Sequence, residues 1–312
     1  MRLLKRDREA DRAPVPFVVG MNRSGTTLLR MMLDAHPELT IPPETHFVPD
    51  LIQATKRRGA TPEDAMGAIA SHREWGDFGF SDEEMLARLR ALPRLEPGPA
   101  VRSFYEAYAE RAGKPRWGEK TPNYVSKMRQ IQRFLPEARF VHVIRDGRDV
   151  ALSVLDRTVK DIDAADVAKR WRRKISKARD AAPQLRHYIE VRYEDLILDT
   201  EPALRRVCDH IALGFDDAML AYHERSADRL AEMARALPAD ERSGDLSVER
   251  RMATHAMTTK PPDSDRVSRY KREMSDGDRV AFEAVAGDLL ADLGYEVGVA
   301  NSMAAGDGAE AS

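Results

Sequence analysis

Val15-Pro-Phe-Val-Val-Gly-Met-Asn-Arg-Ser-Gly-Thr-Thr-Leu-Leu29 is the stretch on which the fold turns. Val15 to Val19 is short, valine-rich and bounded by Pro14 and Gly20, the pattern of a buried parallel strand, with Pro16 tolerated near its start. Leu28 to Leu33 then carries strong helix formers up to Ala35-His36-Pro37, so the unit is strand, glycine loop, helix. Gly20 and Gly25 frame a loop whose backbone N–H groups, with the helix N-terminus, can surround a phosphate or sulfate, and Thr26 and Thr27 add hydroxyls. The glycine spacing matches that of a nucleoside-triphosphate loop, but Thr26 stands where that motif requires lysine. Arg23 supplies positive charge from inside the loop instead. A glycine turn with helix-capping threonines is the plainer alternative, and it does not explain Arg-Ser-Gly-Thr-Thr directly after a buried strand.

Outward from this unit, strands alternate with helices. Arg139 to Ile144 is the second strand and Val150 to Leu155 begins the helix after it; Ala164 to Ala182 is a long helix and Tyr188 to Tyr193 a third strand. This alternation predicts an α/β, P-loop-like three-layer fold with a central parallel sheet flanked by helices. Helices over Glu44 to Lys56, Pro62 to His72, Ser81 to Ala91 and Arg102 to Ala112 form a helical insert, about 48–112, over the active site. Beyond Thr200 the pattern is helical, Pro202 sits near a helix start, and Ser275-Asp276 caps a final helix towards Leu290. The polar stretch Pro238 to Tyr270 reads as a long loop. A disordered basic arm (1–13) and a disordered tail (299–312) are expected to flank one domain over 14–298.

Composition narrows the setting. The chain has 312 residues, with 50 lysines and arginines against 52 acids, and the formal charge of −2 offers no whole-molecule attraction to nucleic acid or an anionic membrane. Cys208 is the one cysteine, which excludes an internal disulfide and suits a core position in a reducing, cytoplasmic protein. No run of about 18 apolar residues suggests a transmembrane segment, and the charged start lacks the apolar stretch of a secretory signal.

A second anion site is legible at the end of the Phe140 strand. Arg145 follows the strand and Ser153 lies eight residues on, within two turns of the next helix, so both can converge on one phosphate at the carboxyl edge of a parallel sheet. Asp146 is a competing magnesium carboxylate, opposed by the missing loop lysine and the adjacent Arg145. Arg148 and Asp149 read as an exposed helix-start ion pair.

Gly20 to Leu29 resembles the 5'-phosphosulfate loop of sulfotransferases that use 3'-phosphoadenosine-5'-phosphosulfate (PAPS), and Arg23 to Pro37 is similar to the branch containing the tyrosylprotein sulfotransferases. The resemblance implies PAPS as co-substrate, no metal, and Arg23, Ser24, Gly25, Thr26 and Thr27 on its 5'-phosphosulfate. It implies Arg145 and Ser153 on the 3'-phosphate, Tyr193 near the donor, and Arg269, or alternatively Lys271, in a closing loop that also carries Lys260-Pro261 and places Thr254 where that branch has a serine. It further implies Glu44, in Ile41-Pro-Pro-Glu-Thr-His-Phe47, as the base that accepts the acceptor's proton, and Lys120, in Trp117-Gly-Glu-Lys-Thr-Pro122, on the transferring group. The sequence puts Glu44 in the first turn of a helix; His46, the rival base, then points elsewhere, and His36 packs. The function implied is sulfuryl transfer to a phenolic, glycan, peptide or other small-molecule hydroxyl, in a protein compatible with a homodimer. A P-loop kinase-like phosphotransferase and a non-catalytic nucleotide-binding protein remain as alternatives.

Overall fold

The computed structural model describes residues 12–156, 162–239 and 244–298, so most of the expected arm and all of the expected tail lie outside the described residues. Six strands form among the described residues: β1 (Val15–Gly20), β2 (Leu39–Thr40), β3 (Arg116–Trp117), β4 (Glu119–Lys120), β5 (Ala138–Ile144) and β6 (Tyr188–Arg192). β4, β1, β5 and β6 lie in that order in one parallel sheet, while β2 pairs with β3 alongside. The helices follow as α1 (Thr26–Asp34), α2 (Val48–Thr55), α3 (Pro62–Ala70), α4 (Asp82–Arg90), α5 (Pro97–Ala112), α6 (Met128–Phe134) and α7 (Gly147–Leu155). After them come α8 (Ala164–Ala181), α9 (Tyr193–Leu198), α10 (Thr200–Ile211), α11 (His223–Ala231), α12 (Val248–His255), α13 (Tyr270–Glu273) and α14 (Asp276–Asp292).

Every residue of β1 is buried, so the strand has no polar face and its two sides enter different cores. Val15, Phe17 and Val19, with Phe140 of β5, pack against Phe47, Leu51, Phe104 and Tyr105 from the segment of α2 to α5. Val18, with Val141, Val143 and Val191, faces Leu29 and Met32 of α1 and Leu204 and Val207 of α10. The two-residue period of a strand thus separates the layers. Cys208 is a free, buried thiol in the second core. A third cluster, built on Trp171 of α8 and Phe282 and Leu290 of α14, closes over α7.

Several local expectations are corrected. No helix begins at Glu44: α2 starts at Val48, because His46 holds a left-handed φ of 52° and the Thr45 N–H is drawn to Thr121 Oγ1 at 3.1 Å. α5 begins at Pro97, with proline in its first turn. The third strand stops at Arg192, and Tyr193 opens α9. The stretch read as a long loop contains α12, capped by Ser247, and two short turns before α13. Its apolar period is weak because an ionic contact helps seat it: Arg251 is buried against Asp77 at 2.6 Å.

Arg148 and Asp149 are likewise not an exposed pair. Both are 1% exposed. Arg148 spans two carboxylates, Asp146 at 2.7 Å and Glu283 at 2.6 Å, and lies 3.8 Å from the centre of the Tyr270 ring. Asp149 accepts from the Tyr270 N–H at 2.8 Å and faces Arg145. One buried guanidinium therefore ties the end of β5 to α14 and α13. Arg148→Ala leaves two buried carboxylates without their cation, and a loss of about 3–5 kcal/mol is expected in urea unfolding. A loss below about 1 kcal/mol is the value for an exposed pair and contradicts the buried role.

Candidate active site

In a parallel sheet all carboxyl ends emerge at one edge, where ligands of open α/β folds bind. Here that edge carries, in spatial order, Lys120 at the end of β4, the glycine loop after β1, Arg145 after β5 and Tyr193 after β6. Sequence-distant groups meet because their strands are neighbours.

Gly25 caps α1 with a φ of 93°, and any side chain there would overlap the Tyr193 ring. Arg23 also holds a left-handed φ, 75°, a conformation costly for a residue with a Cβ and maintained by its surroundings. Its Nε donates to Ser153 Oγ at 2.9 Å, joining the loop to α7. Arg23, Gly25, Thr26 and Thr27 line a cleft together with Arg145, Ser153 and Tyr193. Ser24 is buried and does not line it.

Arg145 is fixed on several sides. Trp171 Nε1 donates to its carbonyl at 3.1 Å, its Nη2 donates to the Arg266 carbonyl at 2.7 Å, and its guanidinium lies 4.3 Å from the Tyr193 ring centre. Its buried Nε has no hydrogen-bond partner among the described residues. A buried cationic N–H without an acceptor is costly unless an acceptor arrives.

Glu44 sits in the loop that β2 delivers beside β4. Lys120 Nζ donates to Glu44 Oε1 at 2.6 Å and to Thr27 Oγ1 at 3.4 Å, so the lysine bridges the carboxylate and the glycine loop. The Lys120 side chain is 2% exposed and that of Glu44 28%. Burial alone would raise the Glu44 pKa, but Lys120 and His46 outweigh it and hold the carboxyl well below the usual range. Burial pulls Lys120 down, with Glu44 opposing. His46 does not point away as the helical expectation had it: its Nε2 is 3.2 Å from Glu44 Oε2, and that contact, outweighing burial, raises its pKa. His36 packs, with Nε2 3.0 Å from the Gly214 carbonyl.

In the late segment, Arg269 lines the cleft with its guanidinium on Asp156 and Glu273, whereas Lys271 pairs with Glu296 and does not line it. The Thr254 side chain lies outside the described residues. Asp146, the candidate magnesium carboxylate, has both oxygens on Arg148. Sequence reasoning missed Arg266, Thr258 and Tyr222, which also line the cleft. Arg266 had a signal, standing three residues before Arg269; Tyr222 had none, since only folding brings its hydroxyl to the Lys260 carbonyl at 2.7 Å.

The profile of a family described as "Sulfotransferase family" matches residues 14–217. Among characterised proteins, the chain is 26% identical over 223 residues to protein-tyrosine sulfotransferase A of Caenorhabditis elegans, covering 68% of this chain and 53% of that protein. It is also 26% identical to protein-tyrosine sulfotransferase 1 of Danio rerio, covering 68% of this chain and 56% of that one. The chain thus spans about half the length of the curated relatives it matches. Among solved structures, the sulfotransferase domain of the Synechococcus PCC 7002 olefin synthase shares the fold with a TM-score of 0.58 at 21% identity, covering 92% of this chain and 98% of that domain. With the profile spanning the glycine loop, Arg145 and Tyr193, the chain belongs to the sulfotransferase family.

Proposed function

We propose that the protein transfers the sulfuryl group of PAPS to an acceptor hydroxyl, with Glu44 as the base. The observation that carries this reading is the contact of Lys120 with both Glu44 and Thr27, which brings a carboxylate beside the glycine loop. The cleft residues suit a doubly phosphorylated nucleotide. Loop N–H groups, Arg23 and the threonine hydroxyls suit a 5'-phosphosulfate, while Arg145 Nε, without a partner among the described residues, and nearby Ser153 suit a second anion at the neighbouring strand end.

In the transfer, the acceptor oxygen bonds to sulfur as the bond from sulfur to the 5'-phosphate oxygen breaks, releasing adenosine 3',5'-bisphosphate. Glu44 takes the acceptor's proton. Lys120, Arg23 and the α1 N-terminus stabilise negative charge on the transferring and leaving oxygens, a positioning and electrostatic role like that in phosphoryl transfer. As Lys120 turns part of its charge to those oxygens, it relaxes its hold on Glu44 and the carboxylate becomes a stronger base. The acceptor classes that fit are phenols, glycans and peptide hydroxyls; the tyrosine-specific names of the relatives favour a phenolic oxygen first.

Incubation with ³⁵S-labelled PAPS and a panel of phenols, sugars, lipids and tyrosine peptides should label one acceptor class. Binding of adenosine 3',5'-bisphosphate without labelling of any acceptor would support a silent nucleotide-binding protein instead. Glu44→Gln should lower kcat by about 10²–10⁴-fold while calorimetric donor affinity stays near wild type; full turnover removes the base assignment.

Arg145→Ala should weaken adenosine 3',5'-bisphosphate by about ten- to a hundredfold, the range of a hydrogen bond to a charged group, and adenosine 5'-monophosphate much less. Equal weakening of both ligands contradicts the 3'-phosphate assignment.

The pH profile has a defined sign. Glu44's pKa is depressed below its ordinary value of 4.5, so its working, ionised form persists as pH falls through that value. The kcat/KM profile should therefore carry no acid limb from this base at neutral or mildly acid pH. A limb near neutrality that moves in Glu44→Asp would show that Lys120 and His46 do not hold the carboxyl down.

A further inference from the structure

A buried carboxyl that the transfer itself does not use lies directly beneath Glu44 and Lys120. Glu119, in β4, has no solvent exposure. Its Oε1 accepts from Thr121 Oγ1 at 2.6 Å and from Thr45 Oγ1 at 3.1 Å. Thr45 is the neighbour of Glu44, and Thr121 the neighbour of Lys120. The two threonines are also joined directly, since the Thr45 N–H donates to Thr121 Oγ1 at 3.1 Å. Three groups thus close a ring connecting the loop of the base to the strand of the lysine.

The protons in this ring have one consistent assignment. The Thr121 hydroxyl gives its hydrogen to Glu119 and accepts from the Thr45 N–H. The Thr45 hydroxyl gives its single hydrogen to Glu119, so at Thr45 Oγ1 the contacts with Tyr105 and Tyr124, each at 3.0 Å, must be donated by the tyrosines. Tyr124 Oη in turn accepts from the Val48 N–H at 3.0 Å, at the start of α2. Every hydroxyl has one donor direction, and the chain ends on Glu119 Oε1. Replacing that acceptor with a group that cannot accept leaves both threonine hydroxyls without their terminus.

The conformation of the base loop needs such an anchor. His46 is held at a φ of 52°, and residues 41 to 47 form neither helix nor strand. The loop is held at its start by Asp34 and Arg30 on the Ile41 backbone and at its end by buried Phe47, and the side-chain network at Thr45 anchors it between them, next to Glu44.

We infer that Glu119 is a positioning residue for sulfuryl transfer: through Thr45 and Thr121 it sets the alignment of Glu44 with Lys120 without touching substrate. The inference rests on the reading of Glu44 as base. Glu119 Oε2 has no partner among the described residues, so a carboxamide at this position can keep the Oε1 acceptor and place its nitrogen where no bond is lost. Burial, only partly offset by Thr121 and Lys120, pushes the Glu119 carboxyl up to about 7, so a neutral side chain there is not foreign to the site.

The test compares Glu119→Ala, Glu119→Gln and Glu44→Gln in the full chain, with kcat counted per adenosine 3',5'-bisphosphate-binding site so that any unfolded fraction drops out. Glu119→Ala should lower kcat by about ten- to a hundredfold, the scale of a misplaced catalytic group, with KM for PAPS changed less than about threefold. Glu119→Gln should restore kcat to within about threefold of wild type. A kcat per binding site unchanged in Glu119→Ala overturns the positioning role, as does a Glu119→Gln variant no better than the alanine. If Glu119→Ala does not fold, the double variant Thr45→Val/Thr121→Val carries the test: it removes both hydroxyl links to Glu119 at nearly constant shape, and an unchanged kcat there overturns the inference equally. Glu44→Gln separates the two readings. Full turnover in Glu44→Gln removes the base itself, whereas an inactive Glu44→Gln beside a fully active Glu119→Ala removes the clamp alone.

Discussion

The parallel pairing of β1 with β4 on one side and β5 on the other is the constraint from which the rest of the molecule follows. Phe17 pairs with both Glu119 and Phe140, so the three strands advance together and end at one edge. Lys120, the glycine loop and Arg145 are each the next residues of their strand or within a few of it. A slip of one residue in either pairing would turn every side chain of that strand to the other face and separate the groups that meet at the edge. Because both faces of β1 are buried under different helical layers, such a slip is opposed by two cores at once. The register of an apolar sheet thereby determines the geometry of a polar site.

What the sequence disclosed follows from how local each feature is. β1, α1 and β5 were legible because a fully buried strand shows as an unbroken apolar run and its glycine boundary is chemical rather than statistical. That Arg23, Thr26, Thr27, Arg145 and Ser153 would come to one cleft was legible for a similar reason, since each lies in the loop or the first turns of the helix that follows a strand. The loop at Glu44 was misread as helix because Glu, His and Val following a diproline fit a helix start. The competing factor was the Thr45–Thr121 bond, whose partner is 76 positions away. α12 was missed because its buried contact includes Arg251 on Asp77, an ionic anchor that leaves little apolar period to detect. Arg148 was misjudged by composition: charged residues at a helix start are usually solvated, and nothing nearby in sequence announces Glu283.

The site and its scaffold use charge in the same manner. Arg148 holds two carboxylates in the interior, Arg145 faces Asp149, and Lys120 holds Glu44. Buried ion pairs add little net stability, since desolvation offsets most of their attraction, but removing one partner is costly. Their structural consequence here is orientation. The indole of Trp171, the carbonyl of Arg266 and the Tyr193 ring leave Arg145 little rotational freedom before any ligand arrives.

That prior fixation bears on how an anionic ligand would be recognised by a chain whose formal net charge is −2. Long-range attraction from the whole molecule is absent, so selectivity for a phosphate or sulfate must be built at short range, from cations and N–H groups already aimed at one place. Donors that need no reorganisation at the moment of reaction stabilise developing charge far more effectively than mobile ones, because the cost of orienting them was met during folding. The carboxylates beside those cations reduce the local field, yet they are what holds each cation in position. An edge made only of unpaired arginines and lysines would attract anions more strongly and align them less well. In the proposed transfer, pairing Lys120 with Glu44 would have the further consequence that one contact positions both the base and the charge-stabilising lysine, so that the two sides of the reaction would be aligned by the same bond.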